Sequence, residues 1–170
     1  GGPVIEERSH QGLDDRYRFP RPMLRTDQNR HDSGYYDFSF SGLKTAVARK
    51  VEELKGRGTL EESVSDIAAS FQSAAVEVLC KKTMRAVKEK ACSRVLLGGG
   101  VSANSRLKKD LTEELFPEGV LYYSSPRLSA DNAAMIACAG AFRFQQGETA
   151  QLDLSADPNL PLPGLRGPQR

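Results

Sequence analysis

Apolar residues recur every three or four positions from Thr59 to about Lys90, which is the spacing of one face of an α-helix. The members of this stripe are Val64, Ile67, Ala68, Phe71, Ala75, Val78 and Leu79. Thr59 or Ser63 can begin the helix, because their side-chain oxygens accept hydrogen bonds from N–H groups of the first turn. The stripe predicts a long helix that buries one face in the domain core, and the alternative is a surface for a partner.

The rest of the pattern alternates between helical and strand spacing. The remaining elements are predicted as helix 43–55 (ended by Gly56 and Gly58), strand 94–97, helix 102–115, strand 120–123 and, after Pro126, helix 130–145. Strands that alternate with helices favour an α/β layer with at least one parallel pair of strands.

The two ends of the chain lack such periodicity. Residues 1 to about 36 are rich in Pro, Gly, Arg and Asp and predict loops, with one short extended piece near residues 17–23. Residues 36–41 alternate polar and aromatic side chains like an edge strand. We therefore expect N-terminal loops and an edge strand over 1–41, an α/β lobe with a glycine turn over 42–150, and a Pro/Gly-rich extended or disordered tail over 151–170.

Three consecutive glycines, Gly98, Gly99 and Gly100, follow directly on the predicted strand 94–97. Without side chains the backbone can approach a ligand closely and take positive φ angles, which aims N–H groups of the turn and of the first helical turn at an anion. The same turn could instead let the next helix fold back tightly on its strand. The glycines alone leave nucleotide binding and tight packing open.

An acidic residue, Asp131, stands with Asn132 at the mouth of a predicted helix rich in Ala and Gly. The Asp131 carboxylate is placed where a helix cap belongs, and capping is the simpler role. Its alternative role is that of a metal ligand or a ribose contact.

Composition is that of an ordinary soluble globular protein, with 170 residues, 39% hydrophobic, 27% charged and no Trp. No apolar run approaches the roughly 20 residues that span a bilayer, and no leader-like segment opens the sequence, so we expect cytoplasmic residence. Cys80, Cys92 and Cys138 form no C-x-x-C pair, and we expect reduced, small, buried side chains.

The net charge of +2 does not mark a nucleic-acid binder, but the charge is unevenly spread. Six basic residues and one acid lie between Lys81 and Arg94. A second basic stretch, residues 16–30, interleaves arginines with Tyr17 and Phe19. Both stretches fit either a solvated surface or RNA contact.

Three stretches carry a resemblance to a known family: residues 37–46, residues 98–107 and residues 131–137. In their order and spacing they closely resemble the TsaD/Gcp family, the tRNA adenosine threonylcarbamoyltransferases formerly described as O-sialoglycoprotein endopeptidases. The opening Gly1-Gly2-Pro3 also fits the family pattern. The resemblance begins near the middle of family members, so it implies the C-terminal half of such a protein.

The resemblance implies a fold and a set of site residues. The fold is α/β, a ribonuclease-H-like lobe of the actin, sugar kinase and heat-shock-chaperone ATPase superfamily, with a nucleotide in the cleft between two lobes. The implied substrate- or nucleotide-binding residues are Gly2, Gly98, Gly99, Gly100 and Asn104, and the implied metal ligand is Asp131. The alternative role of Asn104 is to begin the helix that follows it. No catalytic residue is assigned.

The implied reaction transfers threonylcarbamoyl from threonylcarbamoyl-AMP to the adenosine beside the tRNA anticodon. The implied ligands are an adenine nucleotide or threonylcarbamoyl-AMP and a divalent metal, iron or zinc, held in the family by two His and one Asp. Only Asp131 is in register, and His10 and His31 lack the spacing of paired ligands and are interpreted as solvated loop residues. We therefore expect an incomplete metal site and an inactive isolated chain.

The implied partners are tRNA and accessory protein subunits of the threonylcarbamoylation complex, with a homodimer as a further option and no membrane. The alternative function is a non-catalytic nucleotide-binding or subunit-assembly module. A peptidase ranks last, because the sequence contains no H-E-x-x-H motif and suggests no Ser-His-Asp set.

Overall fold

The computed structural model describes residues 1–25, 28–32 and 34–160. It divides the chain into two compact units, Gly1–Asp131 and Asn132–Arg170. The first unit contains α1 (Gly2–Ser9), α2 (Ser41–Gly56), α3 (Leu60–Glu89), β1 (Arg94–Leu97), a 3₁₀ turn (Gly100–Ala103), α4 (Ser105–Leu115), β2 (Val120–Tyr123) and α5 (Pro126–Ser129). The second unit contains α6 (Ala133–Gln145), which buries none of its residues.

The 30-residue helix α3 is the central element of the first unit. It contributes to two hydrophobic clusters, one shared with α2 and one shared with α4. The buried members are Phe19, Leu43, Leu54, Ile67 and Ala74 in the first cluster, and Val76, Cys80, Leu107 and Leu111 in the second. The predicted helix is confirmed, but a single buried stripe is too narrow a description because α3 packs on more than one side.

The sheet consists of β1 and β2, which pair in parallel with Arg94 opposite Val120 and Leu97 opposite Tyr123. The predicted parallel pair is therefore confirmed. Leu97 and Leu121 pack against the second cluster. The alternate positions point the other way, because successive side chains of a strand leave opposite faces, and Leu96 is 80% exposed there.

The N-terminal part differs from the prediction. A helix, α1, forms where loops were expected, and Pro3 in its first turn costs it nothing because the N–H groups there have no helical partner. The edge strand expected over residues 36–41 does not form, because residues 36–40 pair with no strand and α2 begins at Ser41. Residues 17–23, expected to be extended, lie against α3 without strand pairing: Phe19 is 5% exposed in the first cluster, and Arg21 Nε donates to Glu77 Oε2 of α3 at 2.8 Å.

Two predicted helices begin three residues later than expected. The segment 102–115 becomes a 3₁₀ turn and α4, because Asn104 between them is extended, with φ −60° and ψ 124°. The segment 130–145 becomes α6 alone, preceded by α5, because Ala130 and Asn132 are extended. Residues 151–160 form neither helix nor strand, and the remainder of the predicted tail, 161–170, lies outside the described residues.

The cysteine expectation holds in part. Cys80 is buried, whereas Cys92 and Cys138 are exposed, so the expectation of burial was wrong for these two. Cys92 follows the end of α3, and Cys138 lies on α6, which has no buried residue. None of the helices in the described part of the chain is long and apolar enough to cross a bilayer.

Candidate nucleotide-binding site

The glycine turn leaves the carboxyl end of β1 and is held by one serine. Gly99 has φ 82° and ψ 171°, a conformation that is essentially restricted to glycine. The backbone N–H and the hydroxyl of Ser102 both donate to the Gly99 carbonyl, at 3.0 and 2.7 Å. Ser102 is 1% exposed. The turn is therefore a fixed structure that requires glycine at position 99.

The space around the turn bears on the two roles left open for the glycines. A Cβ atom added at Gly98, Gly99 or Gly100 would meet nothing within 4 Å. At Gly119, by contrast, an added Cβ would lie 2.9 Å from the Ser93 carbonyl oxygen. Tight packing of a helix on its strand accounts for Gly119 and does not account for the three consecutive glycines. Their lack of side chains leaves open space beside the backbone.

The start of α4 is less available to an anion than the sequence indicates. The Asn104 Oδ1 atom accepts a hydrogen bond from the Leu107 N–H at 2.9 Å. The Glu6 carboxylate accepts from the Ser105 N–H at 2.7 Å and from the Ser105 hydroxyl. An internal anion thus occupies the positive end of the α4 dipole. The expectation that first-turn N–H groups aim at a ligand is wrong for Ser105 and Leu107.

Asn104 caps α4 and also bonds to another helix. Its Nδ2 atom donates to Gln72 Oε1 of α3 at 2.9 Å, and Gln72 Nε2 donates to the Ser9 hydroxyl of α1 at 2.9 Å. The Ser9 hydroxyl donates onward to the Glu6 carbonyl at 2.6 Å. The helix-starting role weighed for Asn104 is therefore present, and its ligand role stays a prediction. Gly2 is exposed in the first turn of α1, and its binding role also stays a prediction.

This network joins α1, α3 and α4. Sequence reasoning missed Glu6 and Gln72, because they lie 99 and 32 positions from their partners Ser105 and Asn104. No periodicity links residues at such separations. Only the packing of α1 on α3 brings them together.

Asp131 lies two residues beyond α5, and α5 lies against the 3₁₀ turn Gly100–Ala103. The turn follows β1 and α5 follows β2, so both belong to the carboxyl end of the parallel pair, where open α/β sheets bind ligands. Asp131 is exposed and does not cap α6; the Asn132 Oδ1 atom does so, accepting from the Met135 N–H at 3.1 Å. The capping role favoured for Asp131 was wrong.

The residues present do not by themselves fit a metal centre. Within residues 1–25, 28–32 and 34–160, no three His, Cys, Asp or Glu side chains lie close enough together to hold an ion. Asp131 offers one carboxylate, and a transition metal in a protein ordinarily takes three or more side-chain ligands. His10 and His31 are exposed, as expected of solvated histidines, and His31 accepts from Arg30 Nε at 3.3 Å.

Comparison with known proteins identifies the family. The model of the family described as TsaD, tRNA N6-adenosine threonylcarbamoyltransferase, matches residues 1–138. The chain belongs to the TsaD family.

Curated relatives of the same name agree over nearly the whole chain. The protein of Gemmatimonas aurantiaca is 46% identical over 88% of this chain and 42% of its own length. That of Syntrophotalea carbinolica is 42% identical over 99% of this chain and 47% of its own length, and that of Clostridioides difficile is 42% identical over 95% and 46%. The chain spans about half the length of these relatives. TsaD membership implies the actin-like ATPase fold, with which a helical unit containing a small parallel sheet is compatible.

Proposed function

We propose that this chain acts as the C-terminal half of a tRNA N6-adenosine threonylcarbamoyltransferase and supplies the wall that receives the adenylate of threonylcarbamoyl-AMP. The observation that carries the proposal is the open space at Gly98, Gly99 and Gly100 at the carboxyl end of β1. The ribonuclease-H-like architecture of this lobe belongs to the same proposal. Because the chain spans about half of its relatives, we expect the isolated chain to bind nucleotide and not to catalyse transfer.

In the proposed reaction the exocyclic amine of adenosine attacks the carbamoyl carbon of threonylcarbamoyl-AMP. A C–N bond forms, the C–O bond to the phosphate breaks, AMP leaves with the bonding electron pair, and the amine gives up a proton. The contribution of this chain is to bind and orient the adenylate at the glycine turn, which fixes the leaving group relative to the amine. Catalytic residues are not assigned.

Asp131 is proposed as one ligand of a divalent metal, iron or zinc. When bound, such an ion would polarise the carbonyl and stabilise negative charge on the leaving phosphate. The chain offers no complete ligand set in its described part. The proposed partners are the tRNA substrate and accessory protein subunits, and the proposed location is the cytoplasm, with which three free cysteines are compatible.

Titration calorimetry with AMP tests the binding share of this proposal. Gly98→Val adds a side chain where the chain itself leaves room, so the variant should fold and lose AMP binding by at least about tenfold. Gly56→Val, at the end of α2 and equally uncrowded, is the control and should bind AMP like the wild type. Equal affinities for AMP in all three proteins, or no binding by any, would contradict the proposal.

A subunit-assembly module is the second candidate function, and one apolar groove favours it. The groove lies between α1, α2 and α3 and has a volume of about 350 Å³. Arg8 is its one charged lining residue among those the structure describes, and the apolar lining includes Val4, Ile5, Val47, Val51 and Val64. The partner would be an accessory subunit that packs an apolar surface into this groove. The alternative occupant is a second copy of this chain, which would make a homodimer.

A further inference from the structure

Loop residues 28–32 and 34–37 are fixed onto the C-terminal third of α3 by two cations, one buried and one half-buried. Lys82 is 1% exposed, and its Nζ atom donates to the carbonyls of Gly34 at 2.9 Å and Tyr35 at 2.7 Å. Arg85 donates to Gln28 Oε1 at 2.9 Å and lies 4.9 Å from the centroid of the Tyr35 ring. A buried ammonium is costly unless hydrogen bonds compensate it, so these contacts hold the loop in one position.

The loop and the helix segment together carry an excess of positive charge. Among the described residues of 28–37 and 81–90, six cations face three carboxylates, a balance of +3. Two of the carboxylates accept internal hydrogen bonds. Asp32 accepts from the backbone and side chain of Asn29 at 3.0 and 3.1 Å, and Glu89 accepts from the Tyr35 hydroxyl at 3.2 Å. The acids therefore hold the loop in shape while the cations remain in excess.

Four of the cations are exposed: Arg30, Lys81, Lys88 and Lys90. Lys81 and Lys88 form no hydrogen bond or ion pair with any residue that the structure describes. They are seven residues apart, two helical turns or roughly 10 Å along one face of α3. The Lys90 Nζ atom lies 5.4 Å from the centroid of the Tyr36 ring, which places a third exposed cation against the loop.

This spacing suits an extended polyanion more than a single small anion. A protein partner of standard type would also need an apolar or aromatic anchor at the centre of the surface. Tyr35 and Tyr36 are half-buried and packed edge to face with ring centroids 4.8 Å apart, so they offer no such anchor. Phe19, an aromatic residue of the basic stretch 16–30, is buried in the core and is not available to stack on RNA.

We propose that the basic loop surface, defined by Arg30, Tyr36, Lys81, Lys88 and Lys90, binds backbone phosphates of the tRNA substrate. The inference rests on the proposed function, which makes the substrate a tRNA. Phosphate contacts fix the position of a nucleic acid and carry no sequence information. The surface therefore orients the RNA, and the adenosine is selected elsewhere.

Fluorescence anisotropy of an unmodified tRNA transcript with the 170-residue chain tests the inference. The double variant Lys81→Ala, Lys88→Ala changes two exposed residues and should keep its circular dichroism spectrum. Its Kd for the transcript should rise roughly tenfold, and the slope of log K against log salt should fall by about 2. The matched control is the double variant Lys55→Ala, Lys109→Ala, which removes two exposed lysines from α2 and α4 and should bind like the wild type.

Other outcomes of the tRNA-binding assay overturn the inference. Unchanged binding by the Lys81/Lys88 variant, or an equal loss in the control, would show that these lysines are not the RNA contact. Displacement of the transcript by a poly-glutamate peptide at equal charge concentration would assign the surface to an acidic protein. Calorimetry with AMP on the same samples separates the proposals: AMP binding without tRNA binding overturns this inference alone, and tRNA binding through these lysines without AMP binding overturns the adenylate site alone.

Discussion

Asn104 is the residue whose two roles can be separated most sharply. Asn104→Ala removes a helix cap, which costs about 1 kcal/mol, and a hydrogen bond to Gln72. Gln72 is 7% exposed, so its carbonyl oxygen would be left without a partner, and the loss of this bond costs about 1–3 kcal/mol. We expect a total loss of about 2–4 kcal/mol in the free energy of unfolding, measured by urea denaturation.

Two companion variants divide this loss. Asn104→Ser keeps an oxygen that can cap α4 but cannot reach Gln72, so it should lose about 1–3 kcal/mol. In a Gln72→Leu background, Asn104→Ala should cost only the cap, about 1 kcal/mol. The coupling energy from this double-mutant cycle is the test. A coupling below about 0.5 kcal/mol would refute the network, since independent sites add within that margin.

The same experiment decides how nucleotide binding by Asn104 variants is interpreted. A variant that has lost several kcal/mol can lose AMP affinity because α4 and the turn before it shift. AMP affinity should therefore be compared between Asn104→Ala and Gln72→Leu, which disturb the same bond from opposite ends. An equal loss in both indicates a positioning role for Asn104, and a loss shared by Asn104→Ala and the cap-keeping Asn104→Ser but absent from Gln72→Leu indicates direct contact with the ligand.

Two further predictions concern a buried thiol and an exposed strand residue. Burial, with the nearby Glu114 and Asp110 carboxylates, raises the pKa of the Cys80 thiol to about 12; at pH 8 iodoacetamide should label Cys92 and Cys138 and leave Cys80 until urea unfolds the chain. The unfolded thiol ionises near pH 9, so the unfolded state loses this proton at a lower pH than the folded state does. The free energy of unfolding should therefore fall from pH 9 towards 12 by up to about 1.4 kcal/mol per pH unit. A Cys80→Ala variant with the same pH dependence of stability would contradict this. Leu96 is 80% exposed on the uncovered face of the sheet, so Leu96→Lys should reduce self-association in sedimentation velocity at high concentration, and equal association by both proteins would show that this face is not the contact.

Local pattern was sufficient for the elements that carry their own periodicity. The bounds of α2, α3, β1 and β2 follow from the spacing of apolar residues to within two positions, and parallel pairing follows from the helix between the strands. The pattern failed at α1, whose position depends on bonds from Glu6 and Ser9 to distant residues. It also failed for Lys82, since a lysine in a basic run gives no local sign that it will donate to two carbonyls of a loop nearly 50 positions away.

The candidate site was predictable in its location and not in its details. Two motifs that follow parallel strands must meet at the same end of the sheet, which is why Gly98–Gly100 and the segment before Asp131 could be associated from sequence. The sequence pattern could not predict which polar groups near the site already form hydrogen bonds within the chain. Asn132 caps α6, whereas the sequence placed Asp131 at the cap position, and sequence spacing does not resolve a difference of one position.

The competition for the start of α4 limits where an adenylate can bind. A phosphate at the first turn of α4 would have to displace Glu6 from Ser105, and the two anions would repel each other in the same place. At the glycine turn no carboxylate of the described residues takes the place of a ligand, since the space beside Gly98, Gly99 and Gly100 is open. Ser102 bonds to the Gly99 carbonyl and does not fill this space. The ligand should therefore contact the turn backbone, and the α4 dipole should stabilise the docking of α1 instead of the nucleotide.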